Sequence, residues 1–315
     1  MNNTLYIVVP CYNEEAVLGD TSNKLLELIK TMQANELVSS KSRIVFVDDG
    51  SVDKTWEIIS TLSDNNEVIQ GIKLAGNGGH QCALYGGLMS VKDFCDCAIS
   101  IDADLQDDIS VIPEMMEQFL NGFDIVYGIR KKRNSDSWFK KTSATAFYKL
   151  MQKLGTNVRF NHADFRLMNK RAIDALSDFE ERNLFLRGII PMLGFKTTEV
   201  YYDRFERQAG ESKYPLKKML SFAFDGITSL SITPIRIITV FGAIVCLFSA
   251  AMAIYAFIQK ITGHTSAGWA SLMISIWFFG GVQLMSLGLV GEYIGKIYKE
   301  TKRRPRYIVE EYKKQ

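Results

Sequence analysis

The stretch Cys97-Ala-Ile-Ser-Ile-Asp-Ala-Asp-Leu-Gln106 decides how this chain is read. Residues 97–101 are small or apolar with no polar alternation, the pattern of a strand buried on both faces of a parallel sheet. The run stops at Asp102-Ala-Asp104, and in extended backbone two residues that far apart project from one face. Two carboxylates on one side repel unless a cation or hydrogen-bond donors occupy the gap. Gln106 adds a neutral oxygen two residues further on. All-oxygen ligation of this kind suits Mg2+ or Mn2+ holding a diphosphate.

Working outward, the same unit recurs. Strand-like runs at 5–9, 43–47, 67–74 and 124–128 alternate with helix-like stretches at 15–32, 52–62, 81–91 and 110–119. This alternation predicts an α/β domain whose mostly parallel sheet is covered by helices. Ligands bind such sheets at the carboxyl ends of the strands. The polar clusters fall there: Pro10-Cys-Tyr-Asn-Glu14 after the first strand, Asp48-Asp49-Gly50-Ser51 after the second, Asp102-Ala-Asp104 after the fourth. No Gly-x4-Gly-Lys-Ser/Thr phosphate loop occurs. Gly76-Asn-Gly78-Gly79 follows the third strand without GxGxxG spacing and reads as a turn with some backbone approach to ligand.

The averages over 315 residues (47% apolar, 23% charged, net charge +2, mean hydropathy −0.00) conceal two unlike segments. Of 37 basic and 35 acidic residues, ten and four fall within 231–315, leaving 27 and 31 for the rest. A mildly acidic domain of this kind is not a nucleic-acid binder. Five cysteines without metal-finger spacing fit a reduced compartment.

Between 231 and 291 the only charges are Arg236 and Lys260. The uncharged run 237–259 would span about 35 Å as a helix, enough for a hydrocarbon core of about 30 Å. A second uncharged run covers 261–291, and Gly263 and Gly268 punctuate the connection. Two antiparallel membrane-spanning helices are therefore expected, about 235–259 and 268–291, within 233–292. Lys213, Lys217, Lys218 and Arg236 precede them, and Lys296, Lys299, Lys302, Arg303, Arg304 and Arg306 follow. That bias puts both ends, and hence domain 1–213, on the cytoplasmic side. No basic n-region precedes the run at Leu5, so no signal peptide is expected. Residues 214–232 mix lysines with apolar side chains as an interfacial segment would, and 293–315 read as a basic cytoplasmic tail. Small residues such as Gly242, Ala243, Gly280, Gly281 and Gly288 permit close helix packing, including between copies of the chain.

Taken together in this order, Pro10-Cys-Tyr-Asn-Glu14, Val47-Asp48-Asp49-Gly50-Ser51 and Asp102-Ala-Asp104-Leu-Gln106 resemble the inverting family-2 nucleotide-sugar glycosyltransferases. That family has the GT-A fold, a Rossmann-like, mostly parallel sheet domain. The resemblance continues through Gly128-Ile-Arg130 and Asn161-His-Ala-Asp164-Phe-Arg166 to Arg207-Gln-Ala-Gly-Glu-Ser-Lys213. With the C-terminal hairpin it is closest to the polyprenyl-phosphate monosaccharide transferases, similar to dolichyl-phosphate mannose synthase and, nearer, bactoprenol glucosyltransferases.

The resemblance implies roles. Pro10, Tyr12, Glu14, Val47 and Asp49 would hold the nucleoside, while Asp102 and Ala103 line the ribose and diphosphate. Asp104 and Gln106 match metal-ligand positions for Mg2+ or Mn2+. Arg130, Arg207 and Lys213 match positions gripping the diphosphate and the lipid phosphate. Arginine suits this task because its planar fork makes bidentate contacts to oxyanions. Asp164 matches a catalytic carboxylate, although a phosphate acceptor is already anionic and has little need of a base. The implied reaction moves a hexose from a UDP-sugar, glucose before N-acetylglucosamine, to undecaprenyl or another polyprenyl phosphate at the bilayer. Its product would be a lipid-linked sugar donor for cell-envelope glycans. The basic run 130–141 would face anionic head groups. Removing 231–315 is expected to spare donor binding. A processive polysaccharide synthase would carry Gln-x-x-Arg-Trp, and no Arg-Trp pair occurs in the chain. A non-catalytic membrane scaffold would not need Asp102, Asp104, Gln106, Arg130 and Lys213 together.

Overall fold

The computed structural model describes residues 3–131, 162–182, 184–203, 233–262 and 268–314. Arg207, Lys213, the interfacial segment 214–232 and most of the basic run 130–141 lie outside the described residues. The chain divides into two units, one of 1–148, 157–215 and 304–315, the other of 149–156 and 216–303.

The first unit opens with strand β1 (Leu5–Cys11), all seven of whose residues are buried. Then come helix α1 (Leu18–Ala34), β2 (Arg43–Asp48), α2 (Thr55–Asn65), β3 (Ile69–Leu74), α3 (His80–Val91) and β4 (Cys97–Ser100). Helix α4 (Ile112–Leu120), β5 (Ile125–Arg130), β6 (His162–Asn169), α5 (Lys170–Ser177), α6 (Leu186–Met192) and β7 (Thr197–Tyr202) follow. A last strand, β8, covers Val309–Lys313.

Among the described residues one eight-stranded sheet results, in the order β7-β5-β6-β4-β1-β2-β3-β8. The centre is parallel, β4 and β2 flanking β1 and β3 beside β2. Strand β6 runs antiparallel to both β4 and β5. Alternate residues of β1 serve two apolar layers. Leu5, Ile7 and Val9 pack with Leu25 and Ile29 of α1 and Met115 of α4. Tyr6 and Val8 pack with Ala83, Leu84 and Leu88 of α3 and Ile173 of α5. Period-2 strands and helices on both faces thus make a three-layer domain.

Helix α1 begins at Leu18, later than the sequence pattern indicates. Asn13 sits at φ 54°, and the Glu14 amide donates to Thr55 Oγ1 at 2.9 Å, so residues 12–17 are spent on a loop tied to the start of α2.

The stretch read as a basic tail, 293–315, is split by the structure. Its first part continues a helix to Thr301, and its last part is β8, antiparallel to β3. The sheet edge is closed by side chains as well as backbone. Tyr312 Oη bonds Gln70 Oε1 at 3.0 Å, and Lys313 Nζ pairs with Asp64 at 2.8 Å. The Arg306 guanidinium donates to the Phe179 carbonyl and stacks 4.6 Å from the centre of Tyr85. Tyr307 fills the space over Gly86, where a Cβ would come within 3.1 Å of its ring. Removing 231–315 therefore strips a strand from the sheet, and does not merely detach the hairpin.

In the second unit, α7 runs Thr233–Ile261 and α8 runs Trp269–Thr301. Large apolar side chains on them, among them Ile244, Leu247, Phe248, Leu284 and Met285, are exposed. Among the described residues no helix is long and apolar enough to cross a membrane.

Tyr307→Ala in the full chain should cost about 2 kcal/mol, below the about 3–5 kcal/mol of a fully buried aromatic. Deletion of 304–315 should lower the thermal midpoint further. Differential scanning fluorimetry checks both, and an unchanged midpoint after deletion would contradict the placement of β8.

Candidate active site

The carboxyl ends of β1, β2 and β4 carry three loops that bond to one another. Register pairs Pro10 with Val47 and Cys11 with Asp48, so the two loops leave the sheet side by side. They are then stitched together. The Asn13 amide donates to Ser51 Oγ at 3.0 Å, the Val52 amide to Asn13 Oδ1 at 3.0 Å, and the Lys54 amide to Glu15 Oε2 at 3.0 Å. Pro10 and Val47 are buried in this corner, whereas Tyr12 is 43% exposed.

Asp49 is buried, and its two oxygens accept the amides of Gly78 at 2.8 Å and Gly79 at 2.9 Å. The backbone amides of the Gly-rich loop thus meet a protein carboxylate. Gly50, at φ 67°, makes this approach sterically feasible, because a Cβ there would lie 2.8 Å from the Asn77 nitrogen. Burial raises the Asp49 carboxyl above its usual range, against the pull of the two amides. A carboxylate has lone pairs beyond those two bonds, so Asp49 retains acceptor capacity.

After β4 the chain passes Asp102, buried Ala103, Asp104 and buried Gln106. The Ala103 carbonyl accepts the Thr21 hydroxyl at 2.6 Å, which fixes the loop to α1. Leu105 takes φ 43°, turning the backbone so that the Gln106 amide reaches Asp104 Oδ1 at 3.3 Å. No group of three or more His, Cys, Asp or Glu among the described residues is arranged to hold a metal ion. Asp104 and Gln106 offer oxygens of the kind Mg2+ takes, and a cation held there would draw its other ligands from phosphate oxygens and water.

The antiparallel pairing of β4 with β6 brings Asp164 to the same place. Ser100 pairs with Arg166 where β4 ends, and just beyond it Asp102 and Asp164 both come close to His80. Like charges this near one another repel. Here cations surround them. Arg166, 1% exposed, donates Nη2 to Asp164 Oδ1. Arg187, from the start of α6, grips Asp164 with Nη2 at 2.9 Å and Nε at 3.3 Å. Gln81 Nε2 lies 3.4 Å from Asp164 Oδ2, and Gln81 Oε1 accepts the Leu186 amide at 3.0 Å. His80 Nε2 lies 3.0 Å from Asp102 Oδ1, and its Nδ1 lies 3.9 Å from Asp164 Oδ2.

The titration follows from this arrangement. Desolvation would raise Asp164, but Arg187, Arg166 and His80 outweigh it and hold the carboxyl well below the usual range. Desolvation likewise opposes the charge on Asp102 and is overcome by the hydrogen bond and charge of His80, so Asp102 is lowered too. For His80 desolvation disfavours the imidazolium, yet Asp102 and then Asp164 raise it above the ordinary imidazole value.

Arg130, at the end of β5, is pre-engaged. Its Nε and Nη2 reach Asp107 Oδ1 at 2.9 and 2.8 Å, and Nε lies 3.3 Å from Tyr202 Oη. Burial raises Asp107 despite Arg130. The structure thus gathers Asp102, Asp104, Gln106, Arg130 and Asp164 from β4, β5 and β6, and Pro10, Tyr12, Glu14, Val47 and Asp49 from β1 and β2. Four side chains escaped the sequence reading: His80, Gln81, Asp107 and Arg187. The signal for His80-Gln81 was their place, directly after a Gly-rich loop at the carboxyl end of a strand. Arg187 offered only a lone charge in an apolar run.

A mostly parallel α/β sheet with an Asp-x-Asp at its carboxyl edge, beside a further carboxylate held by two arginines, is the architecture that the resemblance to nucleotide-sugar glycosyltransferases implies. The chain belongs to the family described as Glycosyl transferase family 2, which it matches over residues 6–177. Residues 233–297 match the family described as GtrB C-terminal hairpin. The chain is 57% identical to the uncharacterized glycosyltransferase YkoT of Bacillus subtilis (strain 168), over 97% of this chain and 91% of that one. It is 38% identical to the uncharacterized glycosyltransferase sll0501 of Synechocystis sp., over 98% and 95% of the two chains. It is also 38% identical to the bactoprenol glucosyl transferase of Shigella phage SfX, over 98% and 99%. It is an enzyme of the bactoprenol glucosyl transferase-like kind.

Because the folded-state value of Asp164 is depressed, its stabilising contribution is fully present above about pH 4, the ordinary carboxylate value, and is lost as pH falls below it. Asp164→Asn leaves buried Arg166 without its counter-charge and should cost about 3–5 kcal/mol at pH 7. The stability gap between the two proteins should narrow below about pH 4. Denaturant titrations at pH 7 and pH 3 test this, and a gap of constant size would contradict the assignment.

Proposed function

We propose that the chain transfers one hexose, with inversion, from a UDP-sugar to a polyprenyl phosphate at the cytoplasmic face of a membrane. Glucose is the favoured sugar and N-acetylglucosamine the next. The observation that carries this reading is the pairing of Asp164 with Arg166 and Arg187 beside the Asp-x-Asp, which holds its carboxyl below the usual range. A general base works best with a pKa near the operating pH. Asp164, held far below it, suits an acceptor that brings its own negative charge, as a lipid phosphate does. Full-length similarity to a bactoprenol glucosyl transferase, hairpin included, supports the same acceptor.

In this reading an oxygen of the lipid phosphate attacks the anomeric carbon in line. The bond from that carbon to the diphosphate oxygen breaks, and UDP leaves with the electron pair. Pro10, Tyr12, Glu14, Val47 and Asp49 hold the nucleoside, and Asp102 and Ala103 line the ribose and diphosphate. Arg130, Arg207 and Lys213 bind the two phosphate groups. Asp104 and Gln106 would hold Mg2+ or Mn2+, which would supply charge neutralisation for the departing diphosphate. Asp164 orients the sugar and acceptor through its fixed oxygens. The uncharged runs 237–259 and 261–291 are read as two spanning helices with both ends cytoplasmic, because burying them in hydrocarbon exposes no charge.

Membranes holding the full chain, incubated in parallel with labelled UDP-glucose and UDP-N-acetylglucosamine, should yield label in the extracted lipid, more from glucose. Asp104→Ala should lower that label by at least about 100-fold. Asp164→Asn, assayed at a temperature where it is folded, should lose most turnover while retaining UDP binding. No lipid-extractable label from either donor would overturn the reading.

A further inference from the structure

We infer that His80 is a positioning residue of this transfer: it hydrogen-bonds Asp102 while facing Asp164, and so fixes the geometry between the donor and acceptor sides of the site. The inference rests on the function proposed above. His80 is the first residue of α3, whose next turns are anchored in the core through Ala83, Leu84 and Leu88. The loop just before it is pinned by Asp49 through the amides of Gly78 and Gly79. The imidazole therefore projects from a fixed backbone, 3.0 Å from Asp102 and 3.9 Å from Asp164.

Each carboxylate has a different need of it. Asp164 is also held by Arg166, Arg187 and Gln81. The one side-chain partner found for Asp102 among the described residues is His80. Without the imidazole, Asp102 would lose the hydrogen bond that fixes its carboxylate, leaving its side chain free to change rotamer. His80 and Asp102 are each about 40% exposed, so their pair is open to the cleft. Exposed pairs contribute little to stability. The bridge therefore acts on geometry and not on folding, and displacing a group by about 1 Å in such a site can cost about 100-fold in rate.

The test uses the full chain in vesicles containing undecaprenyl phosphate, with UDP-glucose as donor. His80→Ala should lower kcat by about 100-fold, with UDP affinity changed less than about threefold and an unshifted thermal midpoint. His80→Gln, which keeps an N–H donor near the Nε2 position, should recover much of the rate, and His80→Phe, which fills the space without a donor, should not. The chain has three histidines, so the His80 imidazole nitrogens can be followed by selective labelling and NMR. Their signals should move in both Asp102→Asn and Asp164→Asn. Unchanged kcat in His80→Ala and His80→Phe would overturn the inference. So would a parallel fall of kcat, UDP affinity and melting temperature in all three variants, or imidazole signals indifferent to both Asn substitutions. If wild-type protein gives no lipid product from any donor, the functional reading fails, and the bridge stands or falls on the imidazole signals alone.

Discussion

Two negative charges held close together, Asp102 just after β4 and Asp164 in β6, impose the main constraint on this site. An antiparallel neighbour at that point of the sheet brings the carboxylates together at the edge where ligands bind. Their repulsion must be answered locally, and it is answered from β6 and from two helix starts. Arg166 comes from β6 itself, Arg187 from the start of α6, and His80 with Gln81 from the start of α3. The starts of α3 and α6 are in turn joined by Gln81 through the Leu186 amide. Placing α3 and α6 so that Gln81 and Arg187 reach buried Asp164 is thus part of how the sheet is covered. The site is not a decoration on a finished scaffold.

The opposite side of the cleft is built with backbone. Asp49 gathers the amides of Gly78 and Gly79, and the loops after β1 and β2 exchange hydrogen bonds through Asn13, Ser51, Glu15 and Thr55. These contacts use short polar side chains, which lose little rotamer freedom on ordering. Because the Gly-rich loop leads directly into His80, the rigid corner around Asp49 and the charged pair around Asp164 share one segment of chain.

Much of the α/β unit was legible because its information is local. Strands near β1 to β5 and the helices between them follow from apolar runs and periodicity, and the carboxyl-edge rule placed Asp49, Asp102 and Asp104 together. What failed to show was non-local. Nothing in His162–Asn169 says that it runs antiparallel between two other strands, so the closeness of Asp164 to Asp102 could not be derived from spacing. His80 and Arg187 matter through partners 22 and 23 residues away, respectively, and neither has a periodic signature. Strand β8, Val309–Lys313, reads as a charged tail because two glutamates and a lysine dominate five residues. As an edge strand it tolerates those charges, since one side faces water, and charged residues there discourage pairing with other chains.

That last strand has a consequence for assembly. A chain is made from its N-terminus, and domains fold as units in that order. The catalytic unit breaks this order, because its eighth strand is encoded after α7 and α8. Until those helices have been synthesised, β3 is an open edge, and the faces of Tyr85 and Gly86 await Arg306 and Tyr307. Completion of the sheet is thereby tied in time to completion of the hairpin. A chain cut short within the helices lacks the strand that borders β3, so the sheet edge depends on residues that follow both helices in sequence.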